Sequence, residues 1–305
     1  MIDVVIPAYH PGQEFQVLIQ KLLKQTIDVS HIWIMQTIQQ EGEPLVQFSD
    51  ERITVLPVLQ REFDHGGTRD LGARQSQSDY ILFMTQDALP ADDRLLEHLL
   101  AAMNNPQTGI AYARQLPRPS AGFVESLTRT YNYPEESCIK VLADEERLGI
   151  KTYFCSDVCA MYRRSYYEEL GGFVQPTIFN EDMIMAYHMI HAGYQVAYCA
   201  EAQVVHSHEY RCMQQFRRNF DLGVSQKQYQ EIFASISSEK EGAGYAKKII
   251  RTLVHQKKFI EMFYFMLQCG FKLFGYKLGL HYNRLPRKLV MKCTGSRWYW
   301  HTKDQ

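Results

Sequence analysis

Short apolar runs, each ending at a turn or polar residue and followed by a helical pattern, constrain this chain more than any other feature. Val4-Val5-Ile6 stops at Pro7, residues 31–35 read HIWIM, Ile53–Leu59 is apolar apart from Thr54, and Tyr80–Met84 reads YILFM. Runs with so little polar alternation are buried on both faces, as the strands of a parallel sheet are. Between them Phe15, Leu18, Ile19, Leu22 and Leu23 recur at helical spacing, residues 68–76 and 94–104 read as further helices, and 110–114 as a fifth strand. Such alternation predicts an α/β fold with a mostly parallel, doubly wound sheet, whose ligands sit beyond the carboxyl ends of strands. Residues 116–150, with Pro117, Pro119, Pro134 and Asp144-Glu145-Glu146, read as loop-rich. A strand over 157–162, a helix over 181–192 and two short strands at 196–199 and 202–206 complete a unit placed at 1–225. Residues 226–305 read as a helical extension.

The net charge of −1 conceals a division. Residues 241–305 hold 13 Lys or Arg against 3 Asp or Glu, while the remainder holds 20 against 31. A basic segment on an acidic body points to an anionic partner, and because this one is also apolar the expected partner is the cytoplasmic membrane surface, not nucleic acid. Glu261, Lys272 and Lys277 interrupt Phe259–Leu280, so an amphipathic helix lying on a bilayer is favoured over a spanning one. Packing on the α/β unit or on a twin subunit, a homodimer, is the alternative. The 7 scattered cysteines contain no CxxC pair, and Met1-Ile2-Asp3 runs straight into a strand. The expectation is therefore reduced cytoplasmic thiols and no secretory leader.

Chemistry-bearing residues cluster after the strands. In Thr85-Gln86-Asp87-Ala88 a strand-end carboxylate can reach a ligand crevice, where Mn2+ or Mg2+ on a diphosphate needs hard oxygen ligands; the plainer reading is a turn aspartate. Phe179-Asn180-Glu181-Asp182 opens a helix. Its acids suit the helix dipole, and one of them could serve as a general base. His206-Ser207-His208 follows a β-branched strand and offers imidazole ligands, although paired histidines are often merely structural. In Asp64-His65-Gly66-Gly67-Thr68-Arg69, two glycines could let backbone N–H groups approach an anion, with Arg69 pairing a phosphate. A Gly-Gly turn is also common without any ligand.

Taken in order, Pro7-Ala8-Tyr9, Asp87, Glu181-Asp182 and Gln215-Phe216-Arg217-Arg218 resemble the family 2 glycosyltransferases of GT-A fold over roughly residues 2–225. The resemblance implies a nucleotide-sugar donor, a divalent cation (Mn2+ or Mg2+) on Asp87 with His206 or His208, and Asp182 as base beside Glu181. It implies donor contacts from Pro7, Ala8, Tyr9, Thr37, His65, Gly66, Gly67, Arg69, Gln86, Gln215 and Arg218. More narrowly, FDHGGTRDLGA at 63–73, TQDALP at 85–90 and VVHSHEY at 204–210 are similar to bacterial rhamnosyltransferases. That implies dTDP-β-L-rhamnose as donor, inversion at the anomeric carbon, and a glycan or lipid-linked acceptor for cell-surface polysaccharide, made at the inner face of the cell membrane. Three positions depart from the family pattern. Thr85 replaces the first aspartate of the metal motif, Met35-Gln36-Thr37 stands where relatives carry paired aspartates that contact the nucleoside, and Asn219 replaces the tryptophan of processive synthases. A UDP-hexose transferase and a non-catalytic nucleotide-sugar-binding subunit are the competing functions.

Overall fold

The computed structural model describes residues 1–233 and 238–302. The expected extension, 226–305, thus includes seven positions outside the described residues. The strands are β1 (Ile2–Tyr9), β2 (His31–Ile38), β3 (Ile53–Leu59), β4 (Tyr80–Met84), β5 (Leu89–Pro90), β6 (Thr108–Leu116), β7 (Cys138–Lys140), β8 (Cys159–Arg163) and β9 (Gln195–Val205). The helices of the first half are α1 (Gln13–Leu22), α2 (His65–Ala73), α3 (Leu95–Ala102), α4 (Phe123–Asn132), α5 (Glu145–Leu148) and α6 (Arg164–Glu169). They are followed by α7 (Glu181–His191), α8 (Cys212–Gln228), α9 (Gln230–Phe233), α10 (Ser238–His255), α11 (Phe259–Leu280), α12 (Arg287–Cys293) and α13 (Arg297–Thr302).

The sheet order is β3-β2-β1-β4-β8-β6-β9-β5, with β7 also on β9. β3, β2, β1 and β4 are mutually parallel, as are β6 and β9, whereas β8, β5 and β7 run against their neighbours. The sheet is mixed, with most strands pointing one way. Val4 and Ile6 bury against α1 and α3 through Phe15, Leu18, Ile19, Leu95 and Leu99, while Val5 lies on the other face under Gly72 of α2, in a core that includes Phe83, Tyr162, Ile184 and Met189. Both faces of the sheet are therefore apolar and covered, which is why the strands read as continuous runs; each fully buried large side chain contributes about 1.5–3 kcal/mol.

Two reversals shape the functional edge. Because β8 is antiparallel, its first residues lie where the neighbouring strands end, Cys159 opposite Met84 and Ala160 opposite Tyr112. The two-residue β5 turns back onto β9, pairing Leu89 with Val205, and draws the loop after β4 beside the end of β9. The two short strands expected near 196–206 are one strand. The step from Ala113 to Arg114 on β6 faces a jump from Cys199 to Gln203, a bulge that bends β9 and breaks its sequence pattern. Residues 116–150 hold more order than expected, with α4 and β7 inside them.

The extension folds back onto the catalytic unit. α11 lies along α8 so closely that a Cβ on Gly275 would collide with Phe216 O and one on Gly279 with Phe220 O. Val290, Cys293, Tyr299 and Trp300 complete a core with Phe216, Phe220 and Val224 of α8. α13 packs on the one-turn 3-10 helix Gln60–Glu62. Among the described residues no helix is long and apolar enough to cross a membrane, and all seven thiols are unpaired.

Candidate active site

Asp87 follows β4, and His206 and His208 follow β9; the β5–β9 pairing brings the three together. One ligand atom from each lies within 4.8 Å of the others. The His208 Nε2 is 3.0 Å from Asp87 Oδ2, and the His206 Nε2 is 3.6 Å from Asp87 Oδ1. His206 is buried, and its Nδ1 donates to Gln115 Oε1 at 3.0 Å, which leaves the Nε2 lone pair facing Asp87. Burial pushes this imidazole down to about 3 against the opposing pull of Asp87, so it is neutral at physiological pH. Burial also resists ionisation of Asp87, but the hydrogen bond from His208 and the nearby imidazoles outweigh it and hold the carboxyl below its usual range. A carboxylate, a neutral imidazole and a second imidazole converging on one point fit a divalent cation, and Gln115 supplies the outer hydrogen bond that orients a metal-binding histidine.

Gln115 is a polar residue buried in the otherwise mostly apolar β6. Its Nε2 donates to Tyr133 Oη at 2.5 Å and Ser156 Oγ at 3.0 Å, and its Oε1 also accepts from Arg129. Next to Ser156 stands Asp157, buried at the head of β8, with Oδ1 accepting from Tyr162 Oη at 2.7 Å. Asp182 Oδ2 accepts from the Asp157 amide at 3.4 Å, and Asp182 Oδ1 from the Met183 amide at 2.8 Å. Glu181 is buried and ion-paired with Arg69 Nη1 at 2.8 Å; Arg69 Nε lies 3.8 Å from Asp157. Two of the three carboxylates, Glu181 and Asp157, thus pair with one guanidinium. Burial raises the Asp182 carboxyl well above the usual range, and the charges of Asp157 and Glu181 raise it further. Burial raises Asp157 as well, with Arg69 opposing. A half-buried carboxylate held proton-hungry in this way is suited to accept a proton. Asn180, just before the pair, has a left-handed φ of 68° and is tied to α8 through Ser225 Oγ at 3.1 Å. Such a conformation costs on the order of 1–3 kcal/mol and fixes the direction of α7's first turn.

The other expected residues divide. Tyr9 ends β1, and Gln86 grips its backbone, accepting from Tyr9 N at 2.8 Å and donating to Tyr9 O at 3.1 Å. Ala8 belongs to the core and Pro7 to the strand beside Met35. The glycines lie inside α2. Asp64 caps that helix by accepting from Gly67 N at 2.6 Å, and a Cβ on Gly66 would meet Val174 O at 2.8 Å. Close packing against residues 173–177 accounts for Gly66, and Asp64 already occupies the helix N-terminus. Arg69 is committed to Glu181 and Asp157, not turned to open space. Gln215 and Arg218 lie in the first turns of α8, with the exposed Arg218 guanidinium between Phe179 and Tyr210, 5.1 and 4.9 Å from their ring centres. A cavity of about 280 Å3 opens where β1 and β2 end; Tyr9, Thr37 and His65 line it together with residues 295–299.

Residues 3–171 match the family described as Glycosyl transferase family 2. The chain belongs to this family. As a family 2 glycosyltransferase it is 36% identical to the O-antigen chain rhamnosyltransferase RfbN of Salmonella typhimurium, over 98% of this chain and 96% of that protein. It is 35% identical to the O-antigen chain rhamnosyltransferase WbaN of Salmonella anatum, over 98% and 95%. In fold it is similar to the mannosyltransferase PcManGT from Pyrobaculum calidifontis in complex with GDP-Man and Mn2+ (TM-score 0.61, 12% identity, 92% of this chain and 86% of that one). It is also similar to S. aureus TarS (TM-score 0.55, 12% identity, 83% and 43%). The fold of this transferase is thus of GT-A type, as its motifs implied. The family match ends at residue 171, but the two rhamnosyltransferase relatives extend across Asp182, His206 and Arg218.

Proposed function

We propose that this transferase moves L-rhamnose from dTDP-β-L-rhamnose to a hydroxyl of a lipid-linked O-antigen or similar cell-surface glycan, with inversion and with a bound divalent cation. The convergence of the Asp87–His206–His208 cluster and the raised Asp182 carboxylate at one sheet edge carries the chemistry. The two near-full-length relatives support the choice of sugar and polysaccharide. Asp182 removes the proton from the acceptor hydroxyl as its oxygen forms a bond to the anomeric carbon, and the bond to the diphosphate breaks with its electron pair leaving on the nucleotide. A cation held by Asp87, His206 and His208 would neutralise charge on that leaving diphosphate. Two imidazoles beside one carboxylate suit Mn2+ better than Mg2+, which prefers oxygen and water. Arg218, exposed and held between two rings, is the phosphate partner; Arg69 instead balances the buried acids. A turnover screen over dTDP-rhamnose, UDP-hexoses and GDP-mannose tests the donor. Preferential consumption of a UDP-hexose would overturn the sugar assignment, and no hydrolysis or transfer with any donor would favour a binding subunit.

The acceptor side of the proposal rests on α11. Its outer face exposes Ile260 (85%), Phe263 (73%) and Phe274 (64%), with Lys247, Lys248, Arg251 and Lys257 exposed nearby and Arg284 and Lys288 beyond its end. Apolar insertion with basic attraction of about 1 kcal/mol per residue would seat the chain reversibly at the inner face of the cell membrane. The protein should float with anionic vesicles at low salt and be released at high salt, and Ile260→Glu with Phe263→Glu should abolish flotation without lowering thermal stability. No flotation at low salt, with a dimer seen by light scattering, would assign the face to a second copy of the chain.

A further inference from the structure

The chain's last described segment reaches into the site from far away in sequence. Thr294 Oγ1 donates to Asp221 Oδ1 at 2.6 Å, and Gly295 N donates to Asp221 Oδ2 at 2.9 Å, so a buried carboxylate on α8 grips the turn before α13. Tyr299 Oη donates to Gln228 Oε1 at 3.0 Å, and Trp300 is buried against Tyr282. The segment is a fixed wall, and it presents Ser296 and Trp298 to the cavity that Tyr9, Thr37 and Phe63 line from the other end of the chain.

Three observations say what this cavity takes. It lies at the ends of β1 and β2, and Gln86, the residue next to Asp87, bonds the backbone of Tyr9 on its rim. A nucleotide whose diphosphate lies toward Asp87 would therefore place its nucleoside here, beside the strand-order switch between β1 and β4. The volume of about 280 Å3 falls just below the roughly 300–1,000 Å3 usual for ligand sites, the size for a base with its sugar and not for a whole nucleotide-sugar. Thr37, 6% exposed, lines it with an Oγ1 that has no hydrogen-bond partner among the described residues. A buried hydroxyl of this kind is costly unless something donates to it or accepts from it, and the edge of a pyrimidine does both.

We propose that Ser296 and Trp298 form the C-terminal wall of the donor's nucleoside site, with Trp298 packing on the pyrimidine face and Thr37 bonding its edge. This rests on the donor-site reading given above, and it supplies base contacts where Met35-Gln36-Thr37 replaces the acidic pair of relatives. The test is calorimetric binding of dTDP and of inorganic pyrophosphate, each with Mn2+, to the full chain. Trp298→Ala should weaken dTDP about tenfold or more and leave pyrophosphate unchanged, as loss of base stacking does. Trp298→Phe should restore most of the affinity, and Thr37→Val should cost about fivefold on dTDP alone. Equal dTDP affinity in Trp298→Ala and wild type would overturn the wall, as would parallel loss of dTDP and pyrophosphate. Wild-type protein that binds neither ligand would instead sink the donor-site reading itself.

Discussion

Asp182→Asn should lower transfer by on the order of a hundredfold or more while leaving dTDP affinity within about twofold, because a positioned general base is typically worth 10²–10⁴ in rate. Asparagine keeps the size of the side chain and, through its one carbonyl oxygen, one of the two hydrogen bonds from the Asp157 and Met183 amides, but it cannot take the acceptor's proton. The same assignment fixes the pH profile. Asp182 works only when ionised, and burial with the charges of Asp157 and Glu181 raises its folded-state pKa. The rate should therefore climb with pH along an acid limb lying above the ordinary carboxylate value of about 4. Asp157→Asn removes a like charge, so the limb should move to lower pH. Steady-state kcat/KM measured from acid to neutral pH reads both. A limb that stays put in Asp157→Asn, or near-normal turnover in Asp182→Asn, would place the base elsewhere.

Chelation should abolish activity, with Mn2+ restoring it more fully than Mg2+, and Asp87→Ala should lose metal-dependent dTDP binding and most turnover. Removing the cluster's carboxylate leaves two imidazoles with no anionic ligand between them. Gln115→Leu tests the support of the cluster. It frees His206 Nδ1 without touching a ligand atom, and such outer partners are worth about 10–100-fold in metal affinity. Full activity after exhaustive EDTA dialysis would eliminate the cation from the mechanism and return the cluster to a structural role.

The strands were legible because both faces of the sheet are covered, so each core strand is a dense apolar word. The ends of those strands were legible for the same reason, and Tyr9, Thr37, Asp87 and His206 all lie there. Asp157 was not, because it precedes its strand instead of following it: β8 runs backwards and brings its head to that edge. Gln115 left one faint trace, a lone amide in a strand whose neighbours are largely apolar. Gly66 and Gly67 were ambiguous, since helix packing and an anion cradle ask for the same absent side chain. The contribution of Ser296 and Trp298 had no local signature; it exists only because Asp221 holds their segment across the fold.

Gly275 and Gly279 set α11 against the bare backbone of α8, the helix that carries Arg218. With no side chain between them to yield, the two helices form a stiff joint and not a hinge. A bilayer under α11 would then hold the sugar-transfer cleft at one height above the lipid headgroups. An acceptor hydroxyl nearer or farther than that height would fall outside its reach, however well its chemistry matched. The enzyme would choose acceptors by length as well as by structure, a selectivity that lipid-linked glycans of graded spacer length would expose.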